Sequence, residues 1–402
     1  VQHCSQDIVI IGAGYGGVTA ALRLSRLLRA MPQYRICLID KNPFHTFKTQ
    51  LHEAAVRRAE VSVPIERIIK KTSINFIQEE VKAIDAINGK VVTATQELYY
   101  AYLVIALGSI TNYYNIPGLK EHSLTLQSLE DAQSIYEHIN GLCDEALLTT
   151  NSDVKRDILR SVIGGGGLTG VELAGELADH LNKRADIVKE GFEIILIEGG
   201  QRLVPSLEEG LSAEVYRRLT EKGVKVITGL RITERTKEAI TLSNGEVLRS
   251  YTLIWTGGIK IGGIIEDSGL KTGQMGRILV NEYLQAIDFP QVFAVGDNAL
   301  AINPKTGNPV PAAAQFALQQ GRLVANNIAA HINGRPMWPY IPKVLGEIVS
   351  LGRHLAVGWL ALPFFKRLKF IGFIASLLKT AIEDKHILLL RKESRNWSDW
   401  RG

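Results

Sequence analysis

Apolar residues along this chain switch between short unbroken runs and three-and-four spacings, and the switch occurs twice. Ile8-Val9-Ile10-Ile11 is a run of strand length, and the spacing over 18–28 predicts a helix directly after it. A second run, Ile36-Cys37-Leu38-Ile39, ends on Asp40. About 150 residues later the order returns: Ser161-Val162-Ile163, a helical spacing over 171–181, then Ile194-Ile195-Leu196-Ile197 ending on Glu198. Each half continues with an Asn-Gly pair between alternating segments, Asn88-Gly89 and Asn244-Gly245, which predicts a hairpin. Each closes on an apolar strand running into glycine, Leu103 to Gly108 and Leu253 to Gly257. Landmarks matched in the same order predict two copies of one βαβ-plus-meander module. Further on, Val292-Phe293-Ala294-Val295-Gly296-Asp297 predicts one more strand. Pro311 is expected in the first turn of a long helix reaching about residue 328, where its missing N–H costs nothing.

Between strand and helix each module carries a G-x-G-x-x-G loop: Gly12, Gly14 and Gly17 in the first, Gly165, Gly167 and Gly170 in the second. Here the first glycine permits the tight turn, the second lets the backbone approach a pyrophosphate, and the third lets helix and strand pack closely. The anion then rests on the N–H groups that open the helix. Asp40 and Glu198 stand where a carboxylate accepts from ribose hydroxyls and repels a 2′-phosphate. That favours NAD over NADP, although Arg202 nearby would soften the preference. Two dinucleotide sites in one chain predict a flavoprotein, with FAD held at one and a nicotinamide exchanging at the other.

Composition narrows the chemistry. The 402 residues contain three cysteines, Cys4, Cys37 and Cys143, with no Cys-x-x-Cys pair, so a zinc ribbon and a dithiol redox centre are not expected. His45 and His52 lack further ligands and are read as packing of the loop after Asp40, so no metal site is expected; no Asp-x-Asp-x-Asp-Gly calcium loop occurs. The early apolar run is too short for a signal core, and with sparse cysteines this predicts a reducing compartment. The net charge of +5 lies in the tail: residues 336–402 hold eleven Lys and Arg against five Asp and Glu, leaving 35 against 36 elsewhere. Nucleic-acid binding by the whole chain is therefore not expected, and a basic, partly apolar tail needs its own explanation.

The first fingerprint, the strand ends Ala106-Leu107-Gly108 and Thr256-Gly257-Gly258, and Gly296-Asp297 resemble the two-dinucleotide-binding-domain flavoproteins of the glutathione-reductase type. Those that work through disulfides or sulfide need cysteines beside the flavin. The chain is more closely similar to the type II NADH:quinone oxidoreductases. Three stretches carry this: Asn42-Pro43-Phe44-His45-Thr46-Phe47-Lys48-Thr49-Gln50-Leu51-His52-Glu53; Gly170-Val171-Glu172-Leu173-Ala174-Gly175-Glu176-Leu177; and Ala314-Gln315-Phe316-Ala317-Leu318-Gln319-Gln320-Gly321, with its Ala-Gln-x-Ala-x-Gln quinone-site signature.

The resemblance implies an α/β fold of two Rossmann-like FAD/NAD(P)-binding domains plus a C-terminal amphipathic membrane-association segment. FAD would be held by residues 1–115 and 276–335, NADH by 116–275, and the membrane by 336–402. For FAD it implies contacts from Gly12, Gly14, Gly17, Asp40, Lys41, His45, Gly108, Gly296, Asp297, Ala314 and Gln315. For NADH it implies Gly165, Gly167, Gly170, Glu198 and Gly257. Glu172, expected on the first turn of the second module's helix, would orient the nicotinamide or join a proton path. Gln315 and Gln319 would bond a quinone, and Lys379 would lie near its channel. The Pro311 helix would aim its positive end at the flavin.

No apolar stretch in the tail is long enough to cross a bilayer. Leu368, Ile371, Ile374, Ala375 and Leu378 fall on one helical face flanked by Lys366, Arg367, Lys369 and Lys379, with Phe364-Phe365 just before. That predicts an amphipathic helix lying in an anionic interface on the NADH-accessible, cytoplasmic side. A docking or dimerisation helix is the competing reading, and a homodimer remains open. So do two other functions: a reductase of a demethylated naphthoquinone precursor, and a nicotinamide-binding signalling flavoprotein resembling apoptosis-inducing factor.

Overall fold

A computed structural model describes residues 6–362 and 365–394. Cys4 and Phe364 lie outside them. Two parallel sheets form its frame. The first runs, edge to edge, Phe289–Ala294, Tyr102–Ile105, Ile8–Ile11, Ile36–Asp40 and Ile74–Gln78, with the short Gln285–Ala286 strand added antiparallel. The second runs Leu124–Thr125, Thr252–Trp255, Arg160–Gly164, Glu193–Glu198 and Val224–Thr228. Counting from the meander-closing strand, both sheets share one order, so the repeat read from the sequence is a repeat in space. The expected hairpins are present, with Gly89 and Gly245 at positive φ.

Ile8 to Ile11 are wholly buried, as are Leu38, Ile39, Leu103, Val104 and Ile105, because helices and meanders cover both faces of the sheet. The helix Tyr15–Leu27 packs on the helix Ala314–Ile332 with almost no spacing: a Cβ on Gly321 would sit 2.3 Å from the carbonyl oxygen of Gly16. This long helix starts at Ala314, three residues later than expected, so Pro311 lies outside its first turn. Phe316 and Ala317 both donate to Ala313, the residue that caps it.

The tail is where the sequence reading needs correction. Residues 365–372 form a strand, Phe365–Gly372, paired antiparallel with Ala356–Leu362, which pairs with Gly346–Ser350. A helix, Phe373–Ser394, begins only after Gly372, whose φ of +84° turns the chain. The single helical face over 368–378 therefore does not exist. The tail is also no detached foot, since Val349, Leu351, Val357, Trp359 and Leu390 belong to the main hydrophobic core. No helix among the described residues is long and apolar enough to cross a membrane.

Candidate active site

Both fingerprint loops are built alike. In the first, a Cβ on Gly12 would strike the Ala106 carbonyl at 2.3 Å and one on Gly17 the Gly12 carbonyl at 1.8 Å. In the second, Gly165 lies against Gly257 and Gly170 against Gly165 in the same way. The capping glycines differ: a Cβ on Gly14 or Gly167 would meet nothing within 4 Å, so open space faces each helix start. The carboxylates brace these loops. Ala13 N–H donates to Asp40 at 2.7 Å and Asn42 N–H at 2.8 Å; Gly166 and Gly200 N–H groups donate to Glu198, each at 2.6 Å. Each carboxylate thus holds the loop that would carry a pyrophosphate and keeps lone pairs for a ribose. Burial pushes the Asp40 carboxyl up, against the two N–H donors and Lys41. Arg202 donates to the Pro205 carbonyl at 2.8 Å.

The remaining residues expected at the flavin converge on the carboxyl end of the first sheet. Gly108 N–H donates to Asn298, and Ser109 Oγ donates to Asp297 at 2.7 Å. Gly296 N–H donates at 2.6 Å to Gln320, a buried glutamine that the sequence reading passed over. Lys48 stands among these groups in a cleft, its side chain open to solvent although protein surrounds it; that environment lowers its pKa, opposed by Asp297 and Asp40. Open space at Gly14, a lysine standing in the cleft and Asp297 across from it fit the pyrophosphate and ribityl parts of FAD. Lys41 is exposed beside Asp40.

Glu172 lies on the second turn of its helix, Leu168–Leu181, rather than the first. Its Oε1 accepts from Lys379 Nζ at 2.5 Å, from the Ser350 N–H at 3.1 Å and from Ser350 Oγ at 3.2 Å. Lys379 also donates to Ser350 Oγ at 2.8 Å, and His52 Nε2 lies 3.2 Å from that hydroxyl. Burial alone would raise the Glu172 carboxyl, but the Lys379 ammonium and the hydrogen bonds from Lys379 and Ser350 hold it below the ordinary value. Burial works against the Lys379 ammonium, and Glu172 and Glu383 outweigh it, so its pKa is raised. Lys379, expected on the rim of a membrane helix, instead faces inward.

The same face of the tail helix carries Glu383 and His386, spaced so that all three point the same way. Gln50 Nε2 donates to Glu383 Oε2 at 3.0 Å. His386 Nε2 meets His45 Nε2 at 3.1 Å, and His45 Nδ1 lies 2.8 Å from the Ala13 carbonyl. Tyr15 packs on both histidines and bonds Thr49 at 3.0 Å. His45 therefore joins the fingerprint loop to the tail, and among the described residues no cluster suits a metal. Ser350, Glu383 and His386 were missed by sequence reasoning. The signal available was Lys379-x3-Glu383-x2-His386, three titratable side chains at helical spacing on one face.

Gln315 and Gln319, four apart on the long helix, have both amides engaged. Gln315 donates to the Gly346 carbonyl at 3.1 Å and accepts from Leu345 N–H at 3.0 Å; Gln319 donates to the Lys343 carbonyl at 2.8 Å and accepts from its N–H at 2.9 Å. The pair expected to bond a quinone thus clamps the segment leading into the Gly346–Ser350 strand. The two described cysteines, Cys37 and Cys143, are buried, and burial pushes the Cys143 thiol up to about 11, so neither is poised as a redox relay.

Residues 6–321 match the pyridine nucleotide-disulphide oxidoreductase family. A type II NADH:quinone oxidoreductase of Staphylococcus aureus is 30% identical over 366 residues, covering 88% of this chain and 89% of that protein. Among solved structures, NDH2 from Plasmodium falciparum in complex with NADH has a TM-score of 0.85 at 21% identity, over 97% of this chain and 96% of the other. The sulfide:quinone oxidoreductase of Aquifex aeolicus has a TM-score of 0.78 at 22% identity, over 98% and 93%. These two are likenesses of fold.

Proposed function

The chain belongs to the type II NADH:quinone oxidoreductases, flavin-dependent enzymes using FAD and NADH, and from that premise we propose that it passes electrons to a quinone dissolved in the membrane without pumping protons. FAD is assigned to residues 1–115 and 276–335, NADH to 116–275, and membrane contact to 336–402. The observation that carries this reading is the buried Glu172–Lys379–Ser350 cluster, which joins the second module's helix to the tail beside the first module's loop.

FAD, when bound, supplies the group that takes hydride from NADH and returns two electrons to the quinone. The chain's residues do the rest. Asp40 and Glu198 hold their glycine loops ready, so the N–H groups at each helix start bind pyrophosphate without reorganising. Lys48 adds a positive charge in the first cleft, and Asp297, bonded by Ser109, is placed for hydroxyls of the ribityl chain. Glu172 stays ionised beside Lys379 and keeps a fixed carboxylate where the second module meets the first. Lys379 presents N–H donors from the tail, the side from which a lipid-soluble acceptor arrives. Association with anionic lipid and placement on the NADH-accessible face of the membrane belong to this proposal.

Stopped-flow spectroscopy tests it. Anaerobic NADH is expected to bleach the yellow protein, and a soluble short-chain quinone to restore the colour at a rate at least equal to steady-state turnover. Bleaching without quinone-driven recovery would sink the reading and favour a signalling flavoprotein. A panel that includes demethylated naphthoquinones would show preference for a biosynthetic precursor.

A further inference from the structure

Reducing a quinone to a quinol forms two O–H bonds. The NADH hydride accounts for two electrons and one proton, so each turnover draws one further proton from water. Within the buried cluster most titratable groups are locked. Glu172 is held ionised by Lys379, with two further donations from Ser350. Lys379 rests as an ammonium beside Glu172, with Glu383 3.8 Å away, and can give up a proton only if one is returned to it. His45, His52 and His386 are buried and neutral near pH 7, their pKa values lowered by burial to about 4, 3 and 3. Tyr15 is pushed up to about 12 by burial and keeps its proton.

Glu383 differs. Its Oε2 accepts from Gln50, but its buried Oε1 has no hydrogen-bond partner among the described residues. The Lys379 ammonium lies 3.8 Å from that oxygen, beyond hydrogen-bond distance in the resting arrangement. A buried carboxylate with one oxygen unbonded is costly, whereas a carboxylic acid fits the same place with Gln50 donating to its carbonyl oxygen. Resting on the quinone-reductase reading, we propose that Glu383 stores the water-derived proton of each turnover and delivers it to the site through Lys379. A hydrogen of the Lys379 ammonium goes to the substrate oxygen as its O–H bond forms. The Glu383 O–H then breaks as its proton restores the ammonium, and the carboxylate regains a proton from water. No electrons move in the last two steps.

The charged and titratable groups around Glu383 are Lys379 and His386 on its own helix, Glu53 beyond Gln50, Glu172 across Lys379, and Tyr15 on the first helix. Glu53 is itself paired with Arg57 at 2.8 Å. Burial is the main cause that lifts the Glu383 carboxyl to about 7, and Lys379 opposes it. The acid form is thus available at neutral pH and is lost above it.

The test compares wild-type holoenzyme with Glu383→Gln and Glu383→Asp. Quinone-driven reoxidation of NADH-reduced enzyme is followed across pH and normalised to bound flavin. A parallel infrared titration follows the protonated-carboxyl band without any substrate. Wild-type reoxidation is expected to fall as pH rises through about 7. Glu383→Gln, an isostere without an ionisable proton, is expected to be slowed about 100-fold with that limb absent, and Glu383→Asp to regain part of the rate. A carboxyl band titrating near neutrality is expected in wild type and absent from Glu383→Gln. Wild-type rate and pH limb in Glu383→Gln, or an unchanged band, would overturn the proposal. If the wild-type enzyme were not reoxidised by quinone at all, the functional reading would fall, and the infrared titration would still decide whether Glu383 holds the proton.

Discussion

At the residue scale the buried pair Glu172–Lys379 is the interaction whose loss matters most. Both side chains are nearly enclosed, at 10% and 13% exposure, so removing one partner strands a charge in low dielectric. Glu172→Gln alone is expected to cost about 3 kcal/mol in urea unfolding. The double variant Glu172→Gln/Lys379→Met is expected to cost clearly less than the sum of the singles. Additive costs would show that the pair is not coupled. The histidines give a second prediction. A histidine whose folded pKa is depressed binds its proton in the unfolded chain first, so its contribution to stability is lost as pH falls below about 6.5. For His386, lowered to about 3 by burial and secondarily by His45, going from pH 7 to pH 5 costs about 2 kcal/mol. Glu383, with its raised pKa, works in the opposite sense: its acid form favours folding below about 7, and that contribution is lost as pH rises through this value. The His386→Gln variant should therefore show a shallower acid limb than wild type by about that amount, and an unchanged limb would assign the loss to other groups.

At the element scale, the modules were legible in the sequence because their signals are local. A glycine loop between an apolar run and a helical spacing imposes its geometry wherever it occurs, and Asp40 and Glu198 reach back only to their own loops. The tail was not legible for the converse reason. Leu368 and Ile371 suit a helix or a strand, and what decides is pairing with Ala356–Leu362 together with the turn at Gly372. The cluster was legible in part: Glu172 and Lys379 were named by resemblance, whereas Ser350 and the contact among the three appear only when three elements meet. Gln315 and Gln319 were found by motif, yet the contacts they make, with Lys343, Leu345 and Gly346, are invisible in one dimension. Replacing Gln319 by Leu removes both bonds to Lys343 and is expected to speed hydrogen exchange at that amide about tenfold or more without quinone present. If the glutamine served only to contact quinone, exchange in the free protein would not change.

At the scale of the whole molecule, the tail helix buries a polar stripe and leaves large apolar side chains in solvent beside the exposed Asp384 and Lys385. Its polar residues Lys379, Glu383 and His386 face the protein, while Phe373, Ile374, Leu377 and Leu388 lie open, from 48% to 62% exposed. The neighbouring loop adds exposed Trp338, Ile341, Val344 and Leu345, and Gln315 and Gln319 clamp that loop to the long helix. An apolar surface of this extent, in the region that also holds the chain's excess of positive charge, suits an anionic bilayer interface. Truncation is a poor test, because Val357 and Trp359 belong to the core and Lys379 to the site. Ile374→Glu/Leu377→Glu leaves those contacts intact. Withdrawing two large apolar side chains from lipid costs about 1.5–3 kcal/mol each, so binding to vesicles rich in anionic lipid is expected to weaken at least tenfold. Raised salt should weaken binding further in both proteins, because the basic residues act independently of the apolar face. Vesicle binding unchanged by the double substitution would show that this face is not the membrane contact, whereas loss of flavin as well would mean that the tail had come away from the site.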